Sequence, residues 1–331
     1  MPLEPLPNTP RVSVITMCKD RAWCIDECVR SVIKQDYPNL EHIVQDGESQ
    51  DNTLDVLAKY GDRARIYSEP DLGPMDAFHK ALARATGDLF CLLLSDERFH
   101  DRHVVSRVVD AFRAFPDAGA IYGDFRTVDS RYREIRIEKK RQVSFEDIFC
   151  SEDFISPCAA FVRMDALKSD GVLDEHLRSY FDRIGDFGLW VYVGARHPLK
   201  HVPIVMADFM VHDGEISYGL NHCQAYIREC ERAIDAFHSD GYSRIDLAAL
   251  KKRALARLYL NYSSQLAGRY FRIPMRLAWK GIALRPRLIL TRTFVATLVK
   301  AAGLYSLLPA RGDGRRVRRK EAGRNRSVGT A

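Results

Sequence analysis

Two adjacent acids, Asp96 and Glu97, follow Ser95 at the end of an unbroken apolar run, Leu89-Phe90-Cys91-Leu92-Leu93-Leu94. The run is too short for a soluble helix and reads as a strand buried on both faces of a parallel sheet. Acids at the carboxyl end of such a strand lie where open α/β sheets bind their ligands. Their hard oxygens suit Mg²⁺ or Mn²⁺ bridging a diphosphate. A second apolar strand, His42-Ile43-Val44, delivers Asp46 to the same edge, where a carboxylate suits an imide N–H or a ribose hydroxyl. Asp51 follows five residues later and fits a helix N-cap equally well.

These groups need a scaffold. Val12 to Thr16 reads as the first strand and leads through a loop containing Arg21 into a helix over about 22–34; Arg65 to Ser68 supplies a third strand. The turn Pro70-Asp71-Leu72-Gly73-Pro74 brings Asp71, Gly73 and, just beyond it, Asp76 to the same edge. Apolar residues Met75, Phe78, Leu82 and Ala85 then recur at helical spacing up to Gly87. A helix over about 102–115 and a strand over 120–124, closed by Asp124, complete this half. The first loop lacks phosphate-binding glycines, which argues against a dinucleotide fingerprint and against a Walker loop.

A hydrophobic content of 46% with three Trp, 14 Tyr and 16 Phe supports a packed core. Eight Cys occur without a C-x-x-C pair, which points to reduced thiols and away from a zinc site or disulfide framework. The first ten residues show neither a basic patch nor an apolar core, so the expected location is cytoplasmic. Charge is asymmetric: residues 241–331 hold 21 Lys and Arg against 3 Asp and Glu, while the first 240 residues carry a net −12. That basic, helically patterned end could meet an anionic membrane surface. The apolar stretch Thr293 to Leu308 is too short to span a bilayer, and the Arg-rich tract Arg311 to Arg326 reads as a disordered tail. The tail has no interleaved aromatics or recognisable module, so nucleic acid is not an expected partner.

The segment Ser68 to Glu97 resembles the nucleotide-sugar-binding half of family 2 glycosyltransferases: S-E-P-D-x-G-x-x-D-A, a helix, A-T-G-D, an apolar strand and a pair of acids. The resemblance covers about the first 240 residues and implies an α/β GT-A (Rossmann-like) fold. That fold is a mixed, mostly parallel sheet with helices on both faces, here followed by a helical basic C-terminal extension. It implies a donor half over 1–125, an acceptor half over 126–240 and the extension over 241–331. By the same resemblance the donor site is lined by Thr16, Arg21, Asp46, Asp71, Gly73, Asp76, Ser95 and Asp96. A divalent cation, Mg or Mn, would be held by Asp96, Glu97 and His212. Gly185-Asp186-Phe187-Gly188-Leu189-Trp190 is similar to the family's D-x-x-L-W, which makes Asp186 the expected catalytic base of an inverting enzyme. Implied partners are a nucleoside-diphosphate sugar and a saccharide or lipid-linked saccharide, with peripheral attachment to the cytoplasmic face of a membrane through 241–331. A nucleotide-sugar-binding regulator without catalysis is the alternative.

Overall fold

A computed structural model of the chain describes residues 3–150, 154–169, 172–173, 185–211, 247–267 and 272–301. The expectations for His212 and for the tail at 311–326 fall outside the described residues.

A nine-stranded sheet organises the chain. Its strands are β1 (Val12–Cys18), β2 (Leu40–Asp46), β3 (Arg65–Ser68), β4 (Leu89–Leu92), β5 (Glu97–Phe99), β6 (Ala120–Val128), β7 (Glu134–Glu138), β8 (Ala160–Arg163) and β11 (Leu199–Met210). The order is β3-β2-β1-β4-β8-β6-β11-β5, with β7 pairing β6. β1 to β4 are parallel, and β8 is antiparallel to both β4 and β6. β6 therefore points the same way as β4, and β11 runs parallel to β6. β9 (Lys168–Ser169) and β10 (Val172–Leu173) make a separate ribbon.

Helices cover both faces. On one side α1 (Ile25–Ile33) and α4 (Val104–Ala114) pack Cys28, Val32, Val105, Val108 and Phe112 onto Val12, Val14, Leu89 and Cys91. On the other, α3 (Pro74–Arg84) and α6 (Asp186–Gly194) pack Phe78, Leu82, Leu189 and Trp190 onto Ile15, Ile43, Phe90 and Leu92. Alternate residues of β1 and β4 thus enter different cores, which is why β4 reads as a continuous apolar run and β1 is interrupted only by the buried Ser13 and Thr16. Two shorter helices, α2 (Thr53–Ala58) and α5 (Phe145–Phe149), complete this part.

The C-terminal helices are α7 (Leu247–Leu266), α8 (Arg272–Leu284) and α9 (Arg292–Ala301). α7 contributes Leu250, Ala254, Leu258, Tyr259 and Tyr262 to the same core as Phe90 and Trp190. The start of the basic extension therefore shares the main hydrophobic core. Among the described residues, no helix is long and apolar enough to cross a membrane.

Two boundaries differ from the sequence reading. β6 runs on to Val128, so Asp124 lies within the strand instead of closing it, and its Oδ1 accepts from Lys140 N (2.8 Å) beside His201 Nε2 (3.0 Å). β4 stops at Leu92, and a new strand, β5, starts at Glu97 and pairs antiparallel with β11 at the sheet's far end.

Candidate active site

Because β1, β2, β3 and β4 are parallel, the loops after Cys18, Asp46, Ser68 and Leu92 all leave from one edge of the sheet. β5 and β8 run the opposite way, so Glu97 and the segment preceding Ala160 meet them there. The first two loops are zipped together. Gly47 N donates to Cys18 O, Asp20 N to Ser49 Oγ, and Arg21 N to Thr53 Oγ1. In return, Gln50 N and Asp51 N donate to Asp20 Oδ1, and Ala22 N to Asp51 Oδ2. Asp20 and Glu48 hold left-handed backbone, φ 54° and 56°. Asp tolerates that conformation because its short side chain bonds locally, as Asp20 does here. Asp51 accepts from Thr53 N and Ala22 N and so braces the two loops, whereas the N-cap position of α2 falls to Asn52 and not to Asp51.

Asp46 is fully enclosed at the end of β2. Its Oδ2 accepts from Ser49 N (3.0 Å) and Ser68 Oγ (2.7 Å), and its Oδ1 from Ser49 Oγ and from Cys18 Sγ (3.6 Å). A carboxylate offers about four lone-pair sites, and the chain itself fills them. Asp46 therefore braces the loop that forms the site floor. Thr16, expected at the donor site, is a core residue: its Oγ1 lies 2.9 Å from His42 Nε2 and 3.6 Å from Cys28 Sγ, with no exposure. His42 is buried with Nδ1 unpartnered, and that burial pushes its pKa down to about 3. Ser95 is also buried and hydrogen-bonds Cys24 at the start of α1.

The loop after β3 supplies the open groups. A Cβ placed on Gly47 would lie 2.1 Å from Asp71 Oδ2 and 3.4 Å from Lys19 Cδ, so three loops converge on that glycine. Asp71 Oδ1 accepts from Gly73 N (2.9 Å), and Gly73, at φ 125°, takes a conformation that L side chains avoid. Asp76 accepts from Leu72 N (3.1 Å) and Lys80 Nζ (2.7 Å), and the Lys80 ammonium holds its carboxyl below the usual range. Arg21 is partly exposed, its Nη1 donating to Asp20 O (3.2 Å). Lys19 was missed in the sequence, where one exposed lysine carries no signal.

Three acids meet opposite these loops. Asp96 is partly exposed in the turn after β4. Glu97 is buried, its Oε2 accepting from Leu94 N (2.7 Å) and its carboxyl hydrogen-bonding Cys158. Burial, then the Asp96 charge and more weakly that of Asp186, push Glu97 up to about 8. Asp186 opens α6, whose Trp190 Nε1 donates to Ile155 O (3.0 Å) and so ties the helix to the segment entering β8. Burial raises Asp186 to about 6, against the opposing pull of the backbone N–H groups of Asp186 and Phe187.

These residues fit a cation in a limited way. Glu97 is turned into the core, where its Oε2 accepts from Leu94 N. Among the described residues, no group of three or more His, Cys, Asp or Glu could hold a metal. Asp96, partly exposed beyond the end of β4, has the position and chemistry among the described residues. One carboxylate is enough for Mg²⁺ when a bound diphosphate and water supply the other oxygens.

Residues 13–171 match the model of Glycosyl transferase family 2. An uncharacterised glycosyltransferase of Mycobacterium tuberculosis is 35% identical over 118 residues, 35% of this chain and 45% of that protein. A glycosyltransferase of PGL/p-HBAD biosynthesis from Mycobacterium bovis is 26% identical over 128 residues, 38% of this chain and 50% of the relative. The matches thus span about half the length of these curated relatives. Residues 1–349 of Staphylococcus aureus TarS, solved with UDP-GlcNAc, superpose with a TM-score of 0.58 at 17% identity, covering 88% of each chain. That likeness shows the fold, which is GT-A. Over residues 13–171, a little under half of its length, the chain is similar to glycosyltransferase family 2.

Proposed function

We propose that the chain is an inverting glycosyltransferase. It moves a sugar from a nucleoside-diphosphate sugar to a hydroxyl of a saccharide or lipid-linked saccharide, on the cytoplasmic side of a membrane. The observation that carries this reading is the placement of Asp186 at the start of α6, a helix that Trp190 ties to the segment entering β8 at the sheet edge where β4 ends; burial raises its carboxyl to about 6. Such a pKa leaves Asp186 ionised at pH 7 yet basic enough to share a proton in the transition state.

In this reading Asp71, Gly73, Asp76 and Arg21 line the donor pocket, and Asp46 positions the loop beneath it. The Asp186 carboxylate takes the proton of the acceptor hydroxyl. That oxygen forms a bond to the anomeric carbon from the face opposite the leaving group. The bond between the anomeric carbon and the phosphate oxygen breaks, and its electron pair departs with the nucleoside diphosphate. One displacement inverts the anomeric centre. A Mg²⁺ or Mn²⁺ ion, held by Asp96, would supply positive charge to the departing diphosphate.

The names of the relatives support the acceptor class: one acts in PGL/p-HBAD biosynthesis, and a Bacillus subtilis relative is putatively assigned to teichuronic acid biosynthesis. The test is a panel of nucleotide sugars offered with saccharide acceptors, read by release of nucleoside diphosphate. Glycoside product from one donor supports the reading. Donor binding with no product from any acceptor would favour a binding protein without catalysis.

A further inference from the structure

Residues 247–301 contain twelve Lys and Arg and no Asp or Glu. α7 turns its apolar side to the main core, but α8 and α9 present a different surface. On α8, Pro274, Ala278 and Gly281 are buried, and Gly281 comes so close to α7 that a Cβ there would lie 2.7 Å from Ala256 O. The outer side of α8 carries Arg272, Arg276, Trp279, Lys280 and Leu284, all exposed and spaced as one helical stripe. Trp279 is 55% exposed while its ring meets Phe294 of α9 at 6.2 Å, so the stripe borders α9 directly. Next to Phe294 and one turn on, α9 exposes Val295 and Leu298. The connection between the two helices, Pro286–Leu290, projects Ile289 and Leu290, the latter 85% exposed, beside Arg287.

From this arrangement we infer that the α8–α9 hairpin is a docking face for an anionic lipid bilayer, with Trp279, Ile289, Leu290, Val295 and Leu298 entering the headgroup boundary and the surrounding Arg and Lys meeting lipid phosphates. The mixture identifies the occupant. An amphipathic helical surface that sets Trp and aliphatics beside cations is how interfacial helices bind, with long basic side chains reaching outward to headgroups. A nucleic-acid backbone would use the cations and leave five large apolar groups in water. A second copy of the same face would bring like charges together. This inference deepens the membrane part of the proposed function and does not depend on the glycosyl transfer chemistry, since lipid binding needs no turnover.

Flotation of the full-length chain at low salt, with phosphatidylcholine vesicles and with vesicles containing phosphatidylglycerol, tests it. Wild-type protein is expected to float with the anionic vesicles and not with the neutral ones. The double variant Trp279→Ser/Leu290→Ser keeps every cation and should bind the anionic vesicles about tenfold more weakly or worse, because part of the buried apolar area is gone. Arg276→Gln/Lys280→Gln/Arg287→Gln should lose binding similarly. All five positions are exposed, and an unchanged melting temperature shows that the fold is intact. Wild-type failure to float would overturn the proposal. So would unchanged flotation of the Trp279/Leu290 variant, which would assign binding to charge elsewhere in the chain. Displacement by polyuridylate, with binding of that RNA insensitive to the Trp279/Leu290 change, would mark a nucleic-acid surface instead.

Discussion

The negative charge of Asp186 at the start of α6 reaches Glu97 at the start of β5 and helps push the Glu97 carboxyl up to about 8. Two segments nearly ninety residues apart thus act on one buried carboxyl, and Asp96, next to it in sequence, acts on it more strongly. Glu97 is the enclosed member, held by Leu94 N, while Asp96 and Asp186 are both partly exposed.

Asp96→Asn is expected to cost more than about 2 kcal/mol of transition-state stabilisation, a factor of about 30 in rate. Activity should also fall in excess EDTA and return on addition of Mg²⁺ or Mn²⁺. Full activity in EDTA would remove the cation from the account.

Gly47→Ala should weaken donor binding with little loss of stability. The new Cβ would displace the Asp71 carboxylate, which is the free end of a side chain and moves at small cost. Calorimetry with nucleoside diphosphate and a melting curve read the two effects separately. Unchanged affinity would place Asp71 outside the pocket.

Asp46→Ala should weaken nucleoside diphosphate binding and lower the melting temperature together, because its carboxylate ties Ser49, Ser68 and Cys18. Weaker binding at an unchanged melting temperature would mean that Asp46 touches the nucleotide and braces nothing.

Asp208 predicts acid sensitivity. It is fully enclosed on β11, accepts from Arg98 Nε (2.9 Å) and Arg126 Nη2 (2.6 Å), and lies 2.9 Å from His100 Nδ1. Although burial alone would raise it, these partners hold its pKa down at about 2. The folded state therefore gains roughly 2 kcal/mol from this group above about pH 4, lost as pH falls towards 2. Asp208→Asn should destabilise by about 3 kcal/mol at pH 7, since two guanidinium groups lose their shared counter-ion. The gap in stability between wild type and variant, read from denaturant midpoints, should narrow by about 1 kcal/mol between pH 7 and pH 3.

Much of the scaffold was legible because β4 is a continuous apolar run, β1 and β2 carry short apolar or β-branched stretches, and α3 keeps helical spacing. β5 was not: Glu97-Arg98-Phe99 has no period to detect and is specified by its antiparallel pairing with Ala207-Asp208-Phe209. The positions of the edge acids were legible, but their environments were not. Asp46 looked like a free strand-end carboxylate because Ser68, which helps to close it, lies on a separate strand. Glu97 looked like a twin of Asp96, yet alternation along β5 and the backbone of Leu94 turn it inward. The Asp208 network joins residues more than eighty positions apart, beyond any local pattern.

The most direct measurement is the pH dependence of turnover for the wild type beside Asp186→Asn, with donor affinity measured on both. Wild-type kcat/KM should rise with pH through about 6 as Asp186 loses its proton, then level off. Asp186→Asn should bind donor as wild type does and lose at least about a hundredfold in kcat, the lower range of general-base catalysis. Turnover of Asp186→Asn near the wild-type rate, with the same rise near pH 6, would contradict the account.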